Sequence, residues 1–312
     1  MDGTKASFAI MGSGGVGGFF GARLARAGFP TTFVARGAHL KAMRDRGLAV
    51  EAPGESFTLP VAATDDPATI GPVDFVLFSV KLWDTESAAE ACRPLIGPDT
   101  AVLSLQNGVD SEERIAAILG AQHVLGGVAE ISAAIAEPGL IRCVSAFQRI
   151  RFGELDGRAS ARCERLDAAL TEAGIDHARP ADIQAALWTK FIMLVGLSAL
   201  TAVTRRTVGE VRADPDTRAL LLQVMTETLA VGKAGGVALD DGLVEVLAER
   251  ANGLGAHVKA SMALDLERGN RLELPWLSGK VVALGKALGV PTPANGFVYA
   301  ALKLHQDGTP KT

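Results

Sequence analysis

Cysteine is scarce in this sequence. Three residues out of 312, Cys92, Cys143 and Cys163, stand far apart with no C-x-x-C spacing. That excludes a disulfide framework and a cysteine-rich zinc module, and it suits a reducing compartment. The five histidines are equally dispersed and no H-E-x-x-H occurs, so no metal site is readable. Positive charge is not in excess: 31 Lys and Arg against 35 Asp and Glu leave a net charge of -4. Nucleic acid and anionic membrane surfaces are therefore excluded as main partners. The most apolar stretch, 191–203, falls short of the roughly 20 residues a membrane-spanning helix needs. At the N-terminus only Lys5 precedes a short apolar run, which enters a glycine loop instead of a cleavage site, so no signal peptide is read. The expectation is a cytoplasmic protein.

What is present is length, ordinary hydrophobic content and glycine. At 312 residues, 48% hydrophobic and 21% charged, the chain suits a globular enzyme of two domains. In the first half, short Val, Ile, Leu and Phe-rich runs at 7–11, 31–35, 74–80, 101–105 and 123–126 alternate with helical runs at 17–27 and 85–92. Strand and helix in repetition predict a doubly wound parallel sheet with both faces covered. Further strand-like runs at 140–144 and 148–152 are expected to complete it. From about 180 onward the apolar spacing is helical. Segments 181–203, 217–234, 242–252, 255–267, 274–288 and 294–304 end at glycine or proline. The expected organisation is a Rossmann-type domain over 1–180 followed by an all-α domain over 181–312.

The run from Phe8 to Gly17 reads strand, G-x-G-x-x-G, helix. Gly12 suits the tight turn, Gly14 allows a pyrophosphate to approach the backbone, and Gly17 allows close packing of helix on strand. Ser13, Gly15 and Val16 complete a loop that opens on the positive end of a helix. At the end of the second strand stands Arg36, where NAD-preferring sites place an acid. Its planar, permanently charged fork suits a 2′-phosphate, which favours NADP(H). Lys81 and Asn107 end two later strands at the same carboxyl edge. A cofactor or substrate contact and an ordinary loop position stand level for both. Lys190 precedes an apolar helical run; burial there would favour its neutral form, whereas a lysine snorkelling from a helix edge is the plainer alternative.

The sequence resembles the ketopantoate (2-dehydropantoate) reductase family over nearly its whole length. The resemblance rests on GSGGVG at 12–17, VAR at 34–36, SVK at 79–81, QNG at 106–108 and LWTK at 187–190. Two further segments, SMALDLERGNRLELPWLSG at 261–279 and PTPAN at 291–295, are more specific than the glycine loop. The resemblance implies reduction of a small 2-keto acid by NADPH, in the synthesis of pantothenate. It implies that Lys190 is the general acid, protonating the carbonyl oxygen as hydride arrives, and that Glu273 holds Lys190 and the cofactor. Ser261 would bind substrate and Ser132 the nicotinamide. Asn107 would serve cofactor or substrate.

The sequence departs from the family at the positions four and eight residues after the lysine. The family carries substrate-binding asparagines there; this chain carries Leu194 and Ser198. A lost hydrogen bond to a substrate hydroxyl costs on the order of 1–3 kcal/mol. The substrate expectation therefore widens to other 2-keto acids or a more apolar ketone. Other two-domain dehydrogenases of hydroxyacid or opine type and a catalytically silent NADP(H) sensor stay open as readings. An apolar face in the helical half would suit a homodimer, though spacing does not separate a core face from an interface.

Overall fold

The structure, a computed structural model, describes residues 5–309. The chain divides into two compact units, Met1–Ala186 and Leu187–Thr312.

The first unit opens with β1 (Phe8–Met11), α1 (Gly15–Arg26), β2 (Thr31–Val34) and α2 (Gly37–Arg46). Three short strands follow, β3 (Leu48–Ala52), β4 (Glu55–Leu59) and β5 (Ala62–Thr64). Next come β6 (Val73–Phe78), α3 (Thr85–Ala91), β7 (Ile96–Ser104), α4 (Ser111–Leu119) and β8 (Val124–Glu130). The unit closes with β9 (Ala133–Glu137), β10 (Leu140–Cys143), β11 (Arg149–Gly153), α5 (Ala161–Glu172) and β12 (Asp176–Ala178).

Eight strands form the main sheet in the order β12-β11-β8-β7-β6-β1-β2-β5. From β5 to β8 all neighbours run parallel, and β11 joins β8 antiparallel. The central six follow the order of a dinucleotide fold, whose direction of winding reverses between β1 and β6. Alternate residues of β1 explain why its sequence shows no polar alternation: Phe8 and Ile10 enter one buried cluster, Ala9 and Met11 the other. Phe8 stacks on Phe75 of β6 at 5.2 Å. Helices α3 and α4 cover the second cluster, where Ala88, Ala89 and Ile115 are fully or almost fully buried.

One expectation for the sheet is corrected. The run at 140–144 does not extend it; β10 belongs to a separate four-stranded sheet, β4-β3-β10-β9. This sheet lies against α1, whose Gly18 would meet Ile141 of β10 at 2.8 Å if it carried a Cβ.

The second unit is helical. Helix α6 (Ile183–Thr204) starts just before the division and continues into this unit. Then follow α7 (Val208–Ala213), α8 (Pro215–Ala234), α9 (Leu243–Asn252), α10 (Ser261–Glu267), α11 (Ser278–Leu288) and α12 (Pro293–Leu302). Helix α8 packs against α7, α9, α11 and α12. It also meets α6, where Gly196 leaves room for Met225 and Leu221. At 22 residues, α6 is long and apolar enough to cross a membrane by length and composition, more than the run at 191–203 suggested. Two thirds of its most apolar window is buried within the protein, as in a core helix.

Several helix limits move for identifiable reasons. Helix α8 begins two residues before its expected start, because Asp214 accepts the N–H groups of Asp216 and Thr217 and Pro215 takes the first turn. The expected helix at 255–267 is helical only over α10. The carbonyls of Ala256 and Val258 are instead taken by the N–H groups of Gly209 and Val208, at the start of α7. The segment at 274–288 breaks at Leu277, leaving a 3₁₀ turn over Leu274–Trp276 before α11. In the PTPAN segment, the buried Glu227 carboxylate accepts the Ala294 and Asn295 amides at 2.8 and 2.9 Å and the Asn295 side chain at 2.9 Å. A carboxylate from α8 thus caps α12, with charge matched to the helix dipole.

Candidate active site

In the first unit the expected cofactor residues gather at the carboxyl edge of the parallel strands. Gly12 follows β1 with φ +94, and a Cβ there would lie 2.7 Å from the Val80 nitrogen. Glycine meets both demands. The loop is tied down by hydrogen bonds. The Ser13 N–H and Oγ both donate to the Val34 carbonyl at the end of β2, at 3.2 and 2.9 Å. Ser79 Oγ donates to the Gly12 carbonyl at 2.7 Å. Gly14 caps α1 without a side-chain bond, and a Cβ on it would meet no atom of the described residues within 4 Å. At Gly14 the start of α1 thus presents backbone and positive dipole to open space, which suits an anionic diphosphate.

The other glycines of the loop answer to packing. A Cβ on Gly17 would collide with Ser79 Oγ and the Gly12 carbonyl, and one on Gly15 with the Ala133 carbonyl at the start of β9. Val16 is half-buried on α1 and packs against the core of the unit. Gly15 thus lies against the start of β9, just after the β8–β9 connection. Ser132 lies in that connection; its N–H donates to Ser145 Oγ at 2.9 Å and its carbonyl accepts from Val144 at 2.9 Å.

Arg36 is exposed at the end of β2, where it precedes α2. Lys81, also exposed, follows β6 and stands over the Trp83 ring at 5.6 Å. Asn107 follows β7, half-buried. Its neighbour Gln106 donates through Nε2 to the Val80 carbonyl and Thr85 Oγ1, both at 2.9 Å, fixing the ends of β6 and β7 together. The sequence reading missed Ser79, Gln106 and His39 as supports of this edge. Ser79 and Gln106 sit inside motifs already singled out; His39, which bonds Ser13, carries no local signal.

In the second unit, Lys190, Leu194 and Ser198 follow one another at helical spacing on α6, and Thr201 continues the same face. Thr201 Oγ1 accepts the Ala260 N–H at 3.4 Å, which ties the residue before α10 to α6; Ser261, the next residue, is exposed. Lys190 and Leu194 are half-buried. Ser198 is fully buried, and its hydroxyl has no hydrogen-bond partner among the described residues. Glu273 is 6% exposed and its carbonyl accepts from the Trp276 and Leu277 amides. The cysteines stay clear of this chemistry: all three are buried, and burial pushes the Cys92 thiol up to about 12.

A parallel sheet of this order with a glycine loop at its point of reversal, joined to a helical unit, defines the class of two-unit dinucleotide-binding proteins. Comparison with known proteins narrows the class. Residues 8–157 match the family model described as ketopantoate reductase PanE/ApbA, and residues 182–306 match its C-terminal counterpart. A 2-dehydropantoate 2-reductase of Mesorhizobium japonicum is 33% identical over 315 residues, covering 94% of this chain and 96% of its own. The crystal structure of a 2-dehydropantoate 2-reductase from Geobacter metallireducens superposes with TM-score 0.90 at 32% identity, over 96% of this chain and 99% of that one. A ketopantoate reductase family structure from Ralstonia eutropha gives 0.89 at 33%, over 96% and 98%. The chain belongs to the ketopantoate reductase family.

Proposed function

We propose that this protein reduces the ketone of a small 2-keto acid, 2-dehydropantoate or a more apolar relative, with NADPH as the preferred reductant. The observation that carries the reading is the pairing of an open, dipole-backed glycine loop with Arg36 in a chain whose two halves both match the family. The dinucleotide supplies hydride when bound. Gly12 to Gly17 hold its diphosphate, Arg36 its 2′-phosphate, and Lys81, Asn107 and Ser132 the rest of its length. Lys190 donates the proton that neutralises the developing alkoxide, and its charge stabilises that oxygen before transfer. Glu273 positions Lys190 and contributes to cofactor binding. Ser261 and Asn107 orient the substrate. These roles are the ones the motif resemblance implies at each position, within the two segments that match the family.

A second reading of the substrate is favoured by α6. Leu194 offers a substrate no hydrogen bond, and Ser198 is sealed from solvent, so this wall suits an apolar substituent better than a hydroxyl. The related enzymes' substrate is thus one member of the class to test.

The test is NADPH consumption against a panel of 2-keto acids that includes 2-dehydropantoate and alkyl and aryl analogues. Turnover of at least one, with NADPH preferred over NADH in kcat/KM and the preference reduced about tenfold or more in Arg36→Ala, is expected from the loss of a charge-assisted phosphate contact. No turnover with any member would overturn the reading as a reductase. Equal use of NADH by the native protein would overturn the role of Arg36. Homodimerisation through the helical half is part of the proposal and is read by sedimentation; a monomer at working concentration would remove it.

A further inference from the structure

His39 lies on α2, three residues after Arg36, and belongs to none of the motifs above. Its ring joins two backbone segments. Nε2 stands 2.9 Å from the Ser13 carbonyl oxygen, and Nδ1 stands 3.0 Å from the Gly139 nitrogen in the turn between β9 and β10. A backbone N–H can only donate, so Nδ1 is the bare acceptor and Nε2 carries the proton and donates to Ser13. Burial lowers the affinity of the ring for a second proton, more than the Ser13 bond restores, in keeping with this neutral tautomer. Gly139 is itself fixed: its carbonyl accepts from the Ala49 N–H at 2.8 Å, and a Cβ on it would stand 3.0 Å from Ala42.

The consequence falls on the peptide between Ser13 and Gly14. A trans peptide points its C=O and the following N–H in opposite directions. Holding the Ser13 oxygen toward α2 turns the Gly14 N–H away from α2. With Ser79 on the Gly12 carbonyl and His39 on the Ser13 carbonyl, two consecutive carbonyls of the loop are each tied by one side chain. We infer that His39 is a positioning residue for anion binding: it sets the Ser13–Gly14 peptide so that the Gly14 N–H faces a diphosphate. This rests on the reading that the glycine loop holds a dinucleotide. A histidine fits because a donor and an acceptor must sit at opposite corners of one rigid ring; glutamine can imitate the pair, and phenylalanine keeps only the shape.

The experiment titrates NADPH and NADH into the full-length native protein, His39→Phe and His39→Gln, and follows with steady-state kinetics on each. His39→Phe should weaken the preferred dinucleotide about tenfold in Kd and KM, the worth of one oriented hydrogen bond. Its kcat at saturating cofactor and its KM for the keto acid should stay at native values. His39→Gln should fall within about threefold of native affinity, since its amide restores both bonds. Native affinity in His39→Phe would overturn the inference, as would an equal loss in both variants. Native protein that binds neither dinucleotide would instead remove the cofactor reading on which the inference stands.

Discussion

The glycine loop offers a perturbation whose effects on folding and on binding should separate. Gly14 has φ -74 and ψ -160, an extended backbone with negative φ that alanine can adopt, and its Cβ would enter space with no atom of the described residues within 4 Å. In the free protein, Gly14→Ala should leave stability unchanged or raise it by about 0.4–1 kcal/mol, because the unfolded chain loses freedom. With a diphosphate against the first turn of α1, the same methyl would crowd the ligand. Crowding of this size costs about 1–3 kcal/mol, which is about five- to 150-fold in Kd. Gly17→Ala should do the reverse. Its methyl would collide with Ser79 Oγ and the Gly12 carbonyl, and would lie 3.0 Å from Ile10 Cγ2. The expected cost is about 3 kcal/mol, a fall of roughly 5–10 °C in Tm. Thermal melts and dinucleotide titration of both variants make the assay. Native dinucleotide affinity in Gly14→Ala would refute the placement of the diphosphate over that residue. A lowered Tm in the same variant would refute the open space itself.

Two further outcomes follow from buried groups. Glu227→Ala should destabilise the helical unit by about 3 kcal/mol, because three buried donors at the start of α12 lose a charged acceptor; Glu227→Gln should cost less, and equal melts of Glu227→Ala and native protein would contradict the capping role. The His39 ring takes up a proton less readily in the fold than its ordinary value of 6.5, mainly because it is buried. The unfolded chain therefore binds more protons as pH falls through 6.5, so this contribution to stability is present above 6.5 and lost below it until the folded ring also titrates. The difference in unfolding free energy between native protein and His39→Phe should shrink over that window in chemical denaturation. A difference that stays constant with pH would contradict it.

How far the site was legible depends on the range over which each signal acts. The loop from Gly12 to Gly17 could be read because turn, close approach and helix start follow within six residues on one strand and one helix. Arg36 could be read because a strand end fixes where the next side chain falls. The second sheet could not. Ala133–Glu137 shows no alternation, and β10 pairs with β3 from about ninety residues earlier in the chain. For the same reason the sequence did not mark the packing demand that Ala133 and Ile141 of that sheet place on Gly15 and Gly18. His39 and Gly139 stand 100 residues apart, and Glu227 and Asn295 stand 68 apart, so neither partner marks the other in sequence. In the helical half, periodicity gave helices but placed the limits of α10 and α11 wrongly. Those ends are decided by carbonyls taken up by α7 and by the break at Leu277.

The proposed role of the Lys190 ammonium, proton donor in ketone reduction, is open to a direct test. Single-turnover reduction of the best keto acid by Lys190→Ala, at dinucleotide concentrations shown by titration to saturate the variant, isolates the chemical step from binding. A rate lowered by about a hundredfold or more with native cofactor affinity is expected for loss of a general acid. An unchanged rate would show that the proton comes from another group.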